Sequence, residues 1–295
     1  MLFRRCRLAF AVDRLVFGTA GTPISTKGQG SLAGIEEVHR LGLGCFEFEF
    51  VQSARMNPEK SSECGKRAKE LRILLSAHAP YYVNLIALEK EKQAASLERI
   101  MATCRILQNA GGGEVVFHPG FYQGRKPEDT FGEMKEQFEL LLEQIKKEKL
   151  DKVVLAPETT GKTSAWGSLQ ELVRLSRELG GWEKCRITID FGHLHARSNG
   201  GLGKREDFEG IFDLLKKELG SEALKNLHCH MTGIRFSEKG ELNHLTIDAK
   251  SPDYSLLWPV LVENKCGGTI ISESPNIETD GLAAKKAYEK ILSRA

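Results

Sequence analysis

The chain has 295 residues, of which 41% are hydrophobic and 28% are charged, an ordinary balance that indicates a globular protein with a substantial core. Its formal net charge of +2 neither requires nor excludes a nucleic-acid partner, because a local basic groove is compatible with a balanced total. The seven cysteines form no Cys-x-x-Cys pair and no apolar run is long enough to span a bilayer, so we expect a cytoplasmic protein with reduced thiols and no membrane partner.

The N-terminal region is basic, and its short apolar run ends at Asp13, which makes it a poor signal peptide. We therefore treat residues 1–14 as an N-terminal extension. Residues 15–295 are predicted to form one catalytic domain, because no Pro-rich or Ser-rich linker divides them.

Strands and helices are predicted to alternate through the first half of the domain. A strand beginning near Leu15 is followed by a helix near residues 32–41. The next strand, residues 45–50, alternates strictly, so its three phenylalanines share one face while Glu47 and Glu49 share the other. In a barrel these glutamates would face the lumen, where we interpret them as hydrogen-bonded spacers, with metal ligation as the alternative. Further helices are predicted over residues 61–71 and 89–109, and further strands over residues 72–78 and 114–118.

The alternation continues to the C-terminus. Pro127 fits the first turn of an amphipathic helix, and Ser168 with Glu171 forms a capping box for a later one. The remaining predicted strands cover residues 152–158, 187–190, 224–230 and 268–273, and the remaining predicted helices cover residues 206–219, 254–263 and 280–292. Eight strands alternating with about eight helices favour the α/β class and a single (β/α)8 TIM barrel. An open doubly wound sheet is the main competitor, but the turn after the first strand lacks a G-x-G-x-x-G pattern.

Six consecutive predicted strands end on a histidine or a carboxylate. These residues are His78, His118, Glu158, Asp190, His230 and Glu273. Because the C-terminal ends of barrel strands converge on one opening, the six side chains are predicted to form a ring, and His193 is predicted to reach the same opening from the turn after Asp190. Chance alone would place such residues at all six ends in roughly one chain per few hundred. A mixture of imidazoles and carboxylates suits zinc, with manganese as the alternative.

The motifs at these strand ends carry a family resemblance. They are His78-Ala-Pro-Tyr-Tyr-Val-Asn, His118-Pro-Gly, Glu158-Thr-Thr-Gly, Asp190-Phe-Gly-His193, His228-Cys-His230 and Ile271-Ser-Glu273. In order and approximate spacing they resemble endonuclease IV, a family of apurinic/apyrimidinic endonucleases within the xylose-isomerase-like barrels. The resemblance extends from about Val16 to the C-terminus, and it rests on the ordered set because each motif alone is weak.

The resemblance implies two or three zinc ions. It implies that His78 and His118 hold a first ion and that Glu158 bridges it to a second, completed by Asp190, His230 and Glu273. His193 and His244 would hold a third. In the family the third site also uses an aspartate two positions before its second histidine. This chain has Leu242 there, so Glu241 is the nearest substitute, and a weak or absent third ion is the alternative.

The resemblance also implies an activity: hydrolysis of double-stranded DNA on the 5′ side of an abasic site, leaving a 3′-hydroxyl, as in base-excision repair. Glu158 and Glu273 would be the catalytic carboxylates, bridging metal ions or orienting water. Tyr81 and Tyr82 lie where the family inserts side chains into DNA, and Arg55 is a candidate for its minor-groove arginine. Packing of the two tyrosines against a neighbouring loop is the alternative. No pattern predicts an obligate oligomer, so we expect a monomer.

Two other functions fit the same predicted barrel. One is a metal-dependent sugar isomerase or epimerase, although such relatives hold their metals mainly with carboxylates, and this chain offers many histidines. The other is a non-catalytic relative that binds nucleic acid, an interpretation that the altered Leu242 position favours and the retained ligand set opposes.

Overall fold

A computed structural model describes residues 14–295 of the chain, so the predicted N-terminal extension lies almost entirely outside the described residues. Twelve strands are assigned among the described residues. In chain order they are β1 (Leu15–Ala20), β2 (Cys45–Glu49), β3 (Leu74–His78), β4 (Gly113–Phe117), β5 (Gly120–Phe121), β6 (Val153–Pro157), β7 (Ala165–Trp166), β8 (Thr188–Asp190), β9 (Leu227–Met231), β10 (Gly233–Ser237), β11 (Gly240–Leu245) and β12 (Gly268–Ser272).

Helices connect the strands along the described part of the chain. They are α1 (Gly30–Arg40), α2 (Pro58–Leu71), α3 (Lys90–Asn109), α4 (Pro127–Lys147), α5 (Leu169–Glu178), α6 (Phe191–Arg197), α7 (Arg205–Leu219), α8 (Leu257–Glu263) and α9 (Glu278–Leu292). The predicted starts of α4 at Pro127 and of α5 at the Ser168–Glu171 capping box are confirmed. Helix α2 begins three residues earlier than predicted, because Asn57 accepts a hydrogen bond from Glu59 N and Pro58 occupies the first turn.

Eight of the strands form one parallel sheet in the order β6-β4-β3-β2-β1-β12-β9-β8. The two edge strands of this order also meet, through parallel bridges from Leu155 to Cys185 and from Glu158 to Thr188. The sheet therefore closes on itself, and the predicted (β/α)8 barrel is confirmed.

Strand alternation separates the wall of the barrel from its lumen. Phe46, Phe48 and Phe50 belong to the main apolar core together with residues of the surrounding helices, as the alternation of β2 predicted. Cys45, on the opposite face of the same strand, packs with Leu74 and Ile271 in a separate small cluster at the N-terminal end of the lumen. Residues two and four positions further along each strand therefore lie progressively closer to the C-terminal opening.

Two local elements differ from the sequence prediction, and both bear on the site. The segment after Asp190 is the short helix α6, capped by Asp190, rather than a turn in which His193 can swing, and His193 is buried on it. The segment after His230, where no element is predicted before residue 254, contains the antiparallel hairpin β10–β11, and His244 lies on its second strand. The hairpin was missed because its second strand is largely solvent-exposed and lacks a regular apolar alternation.

Candidate metal centre

The carboxylate of Glu158 lies at the centre of the barrel opening and is fully buried. One oxygen, Oε2, is 3.1 Å from His78 Nε2 and 2.8 Å from His118 Nε2. The other, Oε1, is 3.1 Å from His193 Nδ1 and 3.2 Å from His230 Nδ1. Three imidazoles from strand ends and one from helix α6, which follows β8, thus converge on one carboxylate at the C-terminal opening of the barrel.

The donor atoms divide into two adjacent clusters that share Glu158. The first consists of His78, His118 and Glu158. The second consists of Glu158, Asp190, His230 and Glu273. Within each cluster the donor atoms lie within 4.8 Å of one another, close enough for a single ion to contact all of them. The structure therefore brings together the side chains that the sequence predicted at the strand ends, in two groups joined by one carboxylate.

A third cluster consists of His193, Glu241 and His244. Glu241 lies 3.5 Å from His193 Nε2 through Oε2 and 3.9 Å from His244 Nε2 through Oε1. It reaches this position because the hairpin register shifts: Asn243 pairs with Arg235, but Glu241 pairs with Phe236.

The shift leaves Leu242 as the extra residue of a β-bulge. One inserted residue restores the alternation, so that Glu241 and His244, three positions apart, face the same side. Leu242 itself points outward and is 57% exposed. Glu241 therefore occupies the place that strict two-residue spacing would have assigned to position 242.

The hairpin is docked onto the connection that follows β6. Glu241 N donates to Gly161 O at 3.1 Å, and Gly240 forms an antiparallel bridge with Lys162. A side chain at Gly161 would not fit, since a Cβ there would lie 2.8 Å from Glu241 atoms and 3.0 Å from the His193 ring. Arg197 of α6 fixes the same connection by donating to Thr160 Oγ1 at 3.0 Å and to Ala165 O at 2.9 Å.

Three of the clustered histidines have one ring nitrogen anchored by a backbone carbonyl. The Nδ1 distances are 2.7 Å from His78 to Ala79 O, 2.9 Å from His193 to Thr159 O and 3.1 Å from His244 to Glu273 O. A carbonyl oxygen only accepts, so in the neutral ring Nδ1 carries the hydrogen and Nε2 keeps its lone pair. Each Nε2 faces the clusters, which is the arrangement of histidines that bind metals.

Burial and ion pairing oppose each other in the pKa values of the site. Burial disfavours the charged form of His78, but the hydrogen bond to Glu158 and the neighbouring carboxylates outweigh it and raise the pKa of His78 to about 10. Burial likewise raises the pKa of Glu273, but the charge of His230 outweighs it and lowers that pKa to about 2. Without a cation, protonated imidazoles therefore balance the carboxylates, and a metal ion that binds must displace those protons.

The residues fit a metal centre. Asp190 uses Oδ1 to cap α6, accepting from His193 N at 2.6 Å, whereas its buried Oδ2 has no hydrogen-bond partner among the described residues. A buried carboxylate oxygen without a donor is costly unless a cation occupies its other side. Together with the imidazole lone pairs that face the clusters, this oxygen provides the mixed nitrogen and oxygen donor set that zinc or manganese prefers.

A cavity of about 480 Å³ opens above the clusters and is lined by His78, His118, His193 and Glu273 among others. Tyr81 borders it, and Tyr81 and Tyr82 are 50% and 61% exposed, so about half of each side chain is accessible at the rim. Their rings contact each other at a centroid distance of 5.2 Å. Arg55 is exposed in the connection after β2 and does not line the cavity.

Glu47 of β2 is hydrogen-bonded in the lumen, as the sequence predicted. Glu49 lines the cavity, and Glu47 is fully buried one layer deeper, where it contacts both His228 and His230. The alternation of the strand correctly predicted that both face the lumen. It carried no information about which partners they meet there.

No helix among the described residues has the length and apolarity needed to cross a membrane. The fold and the three histidine–carboxylate clusters define a (β/α)8 barrel with a candidate centre for several metal ions. Residues 35–292 match the family model described as xylose isomerase-like TIM barrel, and the chain belongs to this family.

Two relatives show which members of the barrel family the chain is similar to. It is 35% identical to an uncharacterized protein of Methanocaldococcus jannaschii over 94% of this chain and 98% of that protein. It is 28% identical to a probable endonuclease 4 of Staphylococcus saprophyticus over 70% of this chain and 71% of the relative. The second match confirms the resemblance to endonuclease IV.

Solved structures support the fold. The endonuclease IV structure from Thermus thermophilus superposes with a TM-score of 0.67 at 22% identity, covering 94% of this chain and 100% of that one. A D-tagatose 3-epimerase-like protein superposes with a TM-score of 0.73 at 15% identity, covering 95% and 99%. The barrel is thus common to hydrolases and epimerases, and function must be argued from the site.

Proposed function

We propose that the protein is a metal-dependent endonuclease that hydrolyses double-stranded DNA on the 5′ side of abasic sites, leaving a 3′-hydroxyl. The observation that carries the proposal is the position of Glu158, which is shared by two donor clusters with the third cluster adjacent. Adjacent cation sites are characteristic of phosphodiester hydrolysis, because charge develops on both the attacking and the leaving oxygen.

The residues assigned to metal binding follow the clusters. His78, His118 and Glu158 would hold one ion, and Glu158, Asp190, His230 and Glu273 a second; His193, Glu241 and His244 would hold a third. Bound zinc, or manganese, would supply Lewis-acid stabilisation of the phosphate oxygens and lower the pKa of a water molecule.

Glu273 is the carboxylate best placed to act on a nucleophilic water. Its Oε1 is held 3.1 Å from His230 Nδ1, and the side chain borders the cavity rather than being sealed beneath it. A carboxylate at this position can orient the water and accept its proton. Glu158, sealed under the cavity, would hold the ions in register.

Tyr81 and Tyr82 are proposed to open the duplex. They form an exposed aromatic pair at the edge of the cavity, and a second cavity of about 490 Å³ lies on their far side. An enzyme that acts on a nucleotide inside a duplex must unstack it, and side chains at the rim commonly do so. Arg55 stays a proposed groove contact, based on the resemblance alone.

The relatives named probable endonuclease 4 support the proposal, although the M. jannaschii relative carries no functional name. Six free, buried cysteines in the described residues fit the proposal of a cytoplasmic protein with reduced thiols. From the resemblance to endonuclease IV we also propose that the protein binds abasic duplex DNA, and we expect it to do so as a monomer.

A sugar isomerase or epimerase is the second candidate. The specific observation in its favour is the cluster of Glu158, Asp190, His230 and Glu273, which is rich in carboxylates and could serve a single ion. The histidine-rich first and third clusters have no evident role in that chemistry, so we rank this function second.

Incision of a duplex with a single abasic analogue tests the proposal. The protein is stripped of metal, reloaded with zinc or manganese, and incubated with this duplex and with an undamaged one. Metal-dependent cleavage 5′ to the analogue, giving a 3′-hydroxyl, is expected only for the first duplex. Tight metal binding without incision would contradict the proposal and favour sugar substrates.

A further inference from the structure

Directly beneath the metal centre lies a buried carboxylate that belongs to neither Glu158 cluster nor to the hairpin cluster. Glu47 of β2 is fully buried in the lumen, and two of its neighbours, His228 and His230, are fully buried as well. A buried carboxylate is stable only if its oxygens receive hydrogen bonds or face positive charge.

One oxygen of Glu47 is held by two donors. Ser76 Oγ donates to Oε2 at 2.6 Å, and His228 Nε2 lies 2.9 Å from the same oxygen. The other nitrogen of His228, Nδ1, is 2.7 Å from Thr269 Oγ1. Because an ionised carboxylate only accepts, the Nε2 atom of neutral His228 carries the hydrogen and its Nδ1 accepts from the Thr269 hydroxyl.

The second oxygen of Glu47 faces the metal centre. Oε1 lies 2.9 Å from His230 Nε2, off the direction of a well-formed hydrogen bond, and neither atom has another hydrogen-bond partner among the described residues. Because Oε1 carries negative charge and lies close to Nε2, it nevertheless stabilises the form of His230 in which Nε2 carries the hydrogen. Nδ1 of His230 lies 3.2 Å from Glu158 and 3.1 Å from Glu273, two residues assigned to the second ion. With a cation bound to those two carboxylates, Glu47 would be the carboxylate left to hold the imidazole hydrogen, on Nε2, and Nδ1 would keep its lone pair for the ion.

We propose that Glu47 is a positioning residue for the metal centre. It holds His230 in the tautomer and orientation that present Nδ1 to the second ion, and Ser76, His228 and Thr269 hold Glu47 in turn. The inference rests on the metal-binding part of the proposed function but is independent of DNA cleavage.

His230 differs in this respect from three of the other clustered histidines. His78, His193 and His244 are anchored by backbone carbonyls, which no substitution removes, whereas His230 faces a side-chain carboxylate. A carboxylate also makes the imidazole a stronger ligand than a carbonyl does, and such partners typically contribute 10–100-fold to metal affinity. His230 is therefore a histidine whose supporting partner, the carboxylate of Glu47, can be removed by mutation.

The test is a zinc titration of metal-free protein in competition with a chromogenic chelator at fixed pH. Glu47→Gln keeps the size of the side chain but removes its charge. Glutamine has a single carbonyl oxygen, so it cannot accept hydrogen bonds from both His228 and His230 as the two carboxylate oxygens can. The variant should bind the same number of zinc ions at saturation, with one ion held roughly 10–100-fold more weakly than in the wild type.

Glu114→Gln is the matched control. Glu114 is another buried carboxylate of the lumen, paired with Arg186 at the opposite end of the barrel. The Glu114→Gln variant loses the same charge as Glu47→Gln, but the substituted side chain does not contact the metal centre. The zinc affinity of this variant should therefore equal that of the wild type.

Three results would overturn the proposal. Unchanged zinc affinity in Glu47→Gln would assign Glu47 to packing alone. Loss of one whole zinc equivalent at saturation would make Glu47 a ligand, since one of its oxygens lies within 4.8 Å of one nitrogen of each of His228 and His230. Equal weakening in Glu114→Gln would indicate a general effect of buried charge.

If Glu47→Gln does not fold, Thr269→Val decides. It removes the donor at the far end of the network with little change in shape, and a smaller weakening of the same ion is expected; unchanged affinity would refute the network. Because wild-type zinc binding is measured first, a protein that binds zinc but does not cut abasic DNA would refute the proposed function and leave this inference standing.

Discussion

The two ends of the barrel lumen both bury charge, but they treat it differently. At the N-terminal end Glu114 and Arg186 form one close ion pair, and the atom left without a hydrogen bond is a donor, Arg186 Nε. At the C-terminal end several carboxylates and imidazoles lie close together, and Asp190 leaves a buried acceptor, Oδ2, without a hydrogen-bond partner among the described residues.

The difference shows how one set of strands can carry structure and chemistry. A donor without a hydrogen bond cannot bind a cation, so the N-terminal ion pair has a structural role and needs no bound ion. Leftover acceptors and lone pairs can bind one, so the C-terminal ring is incomplete until a cation or protons balance it. The two ends differ in whether the atom left without a hydrogen bond is a donor or an acceptor, rather than in the amount of buried charge.

Breaking the C-terminal ring should have the largest effect. Glu158→Gln, His118→Ala and Glu273→Ala should each reduce incision of abasic duplex by at least about 10³-fold, because each removes a donor from a cluster on which the reaction depends. Single-turnover assays with zinc-loaded protein provide the measurement. Far-UV circular dichroism should show an intact fold, and activity surviving in all three variants would refute the site assignment.

Breaking the N-terminal pair should reduce stability without affecting chemistry. Arg186→Met leaves Glu114 buried and uncompensated, which should lower the free energy of unfolding by about 3–5 kcal/mol. The double variant Glu114→Leu/Arg186→Met should recover most of that loss, because both charges are removed together. Urea unfolding in the presence of a chelator provides the measurement. A double variant as unstable as the single one would contradict this account.

The hairpin cluster provides a sharper test within the site itself. Glu241→Ala should lower zinc stoichiometry by one ion or weaken one ion severely, as measured by metal analysis after gel filtration. Glu241→Ala/Leu242→Asp should not restore that ion, although it recreates the Asp-x-His spacing, because position 242 is the outward-facing residue of the bulge. Restoration would show that the hairpin register differs from the one described.

The smallest effect is expected at the rim. Tyr81→Ala should weaken discrimination between abasic and intact DNA by roughly 5- to 150-fold, since one aromatic contact with a base contributes about 1–3 kcal/mol. Leu88→Ala is the control, because Leu88 is exposed on the same connection but lines neither cavity. Unchanged selectivity in Tyr81→Ala would assign the tyrosine to another role.

The strand ends could be predicted from sequence because parallel barrel strands deliver their last residues to one opening, whatever separates them along the chain. The partners of Glu47 could not, because alternation gives the face of a residue but not the neighbours across the lumen. The position of Glu241 could not either, because it depends on a one-residue shift in a hairpin whose strands carry no regular pattern.

The docking of the hairpin has a kinetic consequence. The first two clusters stand on strands of the barrel wall, which open only with the whole fold, whereas Glu241 and His244 stand on β11, outside the barrel sheet. Segments held by few contacts open locally at lower free energy than core strands. An ion bound at the hairpin should therefore exchange with solution first during slow chelation, while the ions on the wall are still retained.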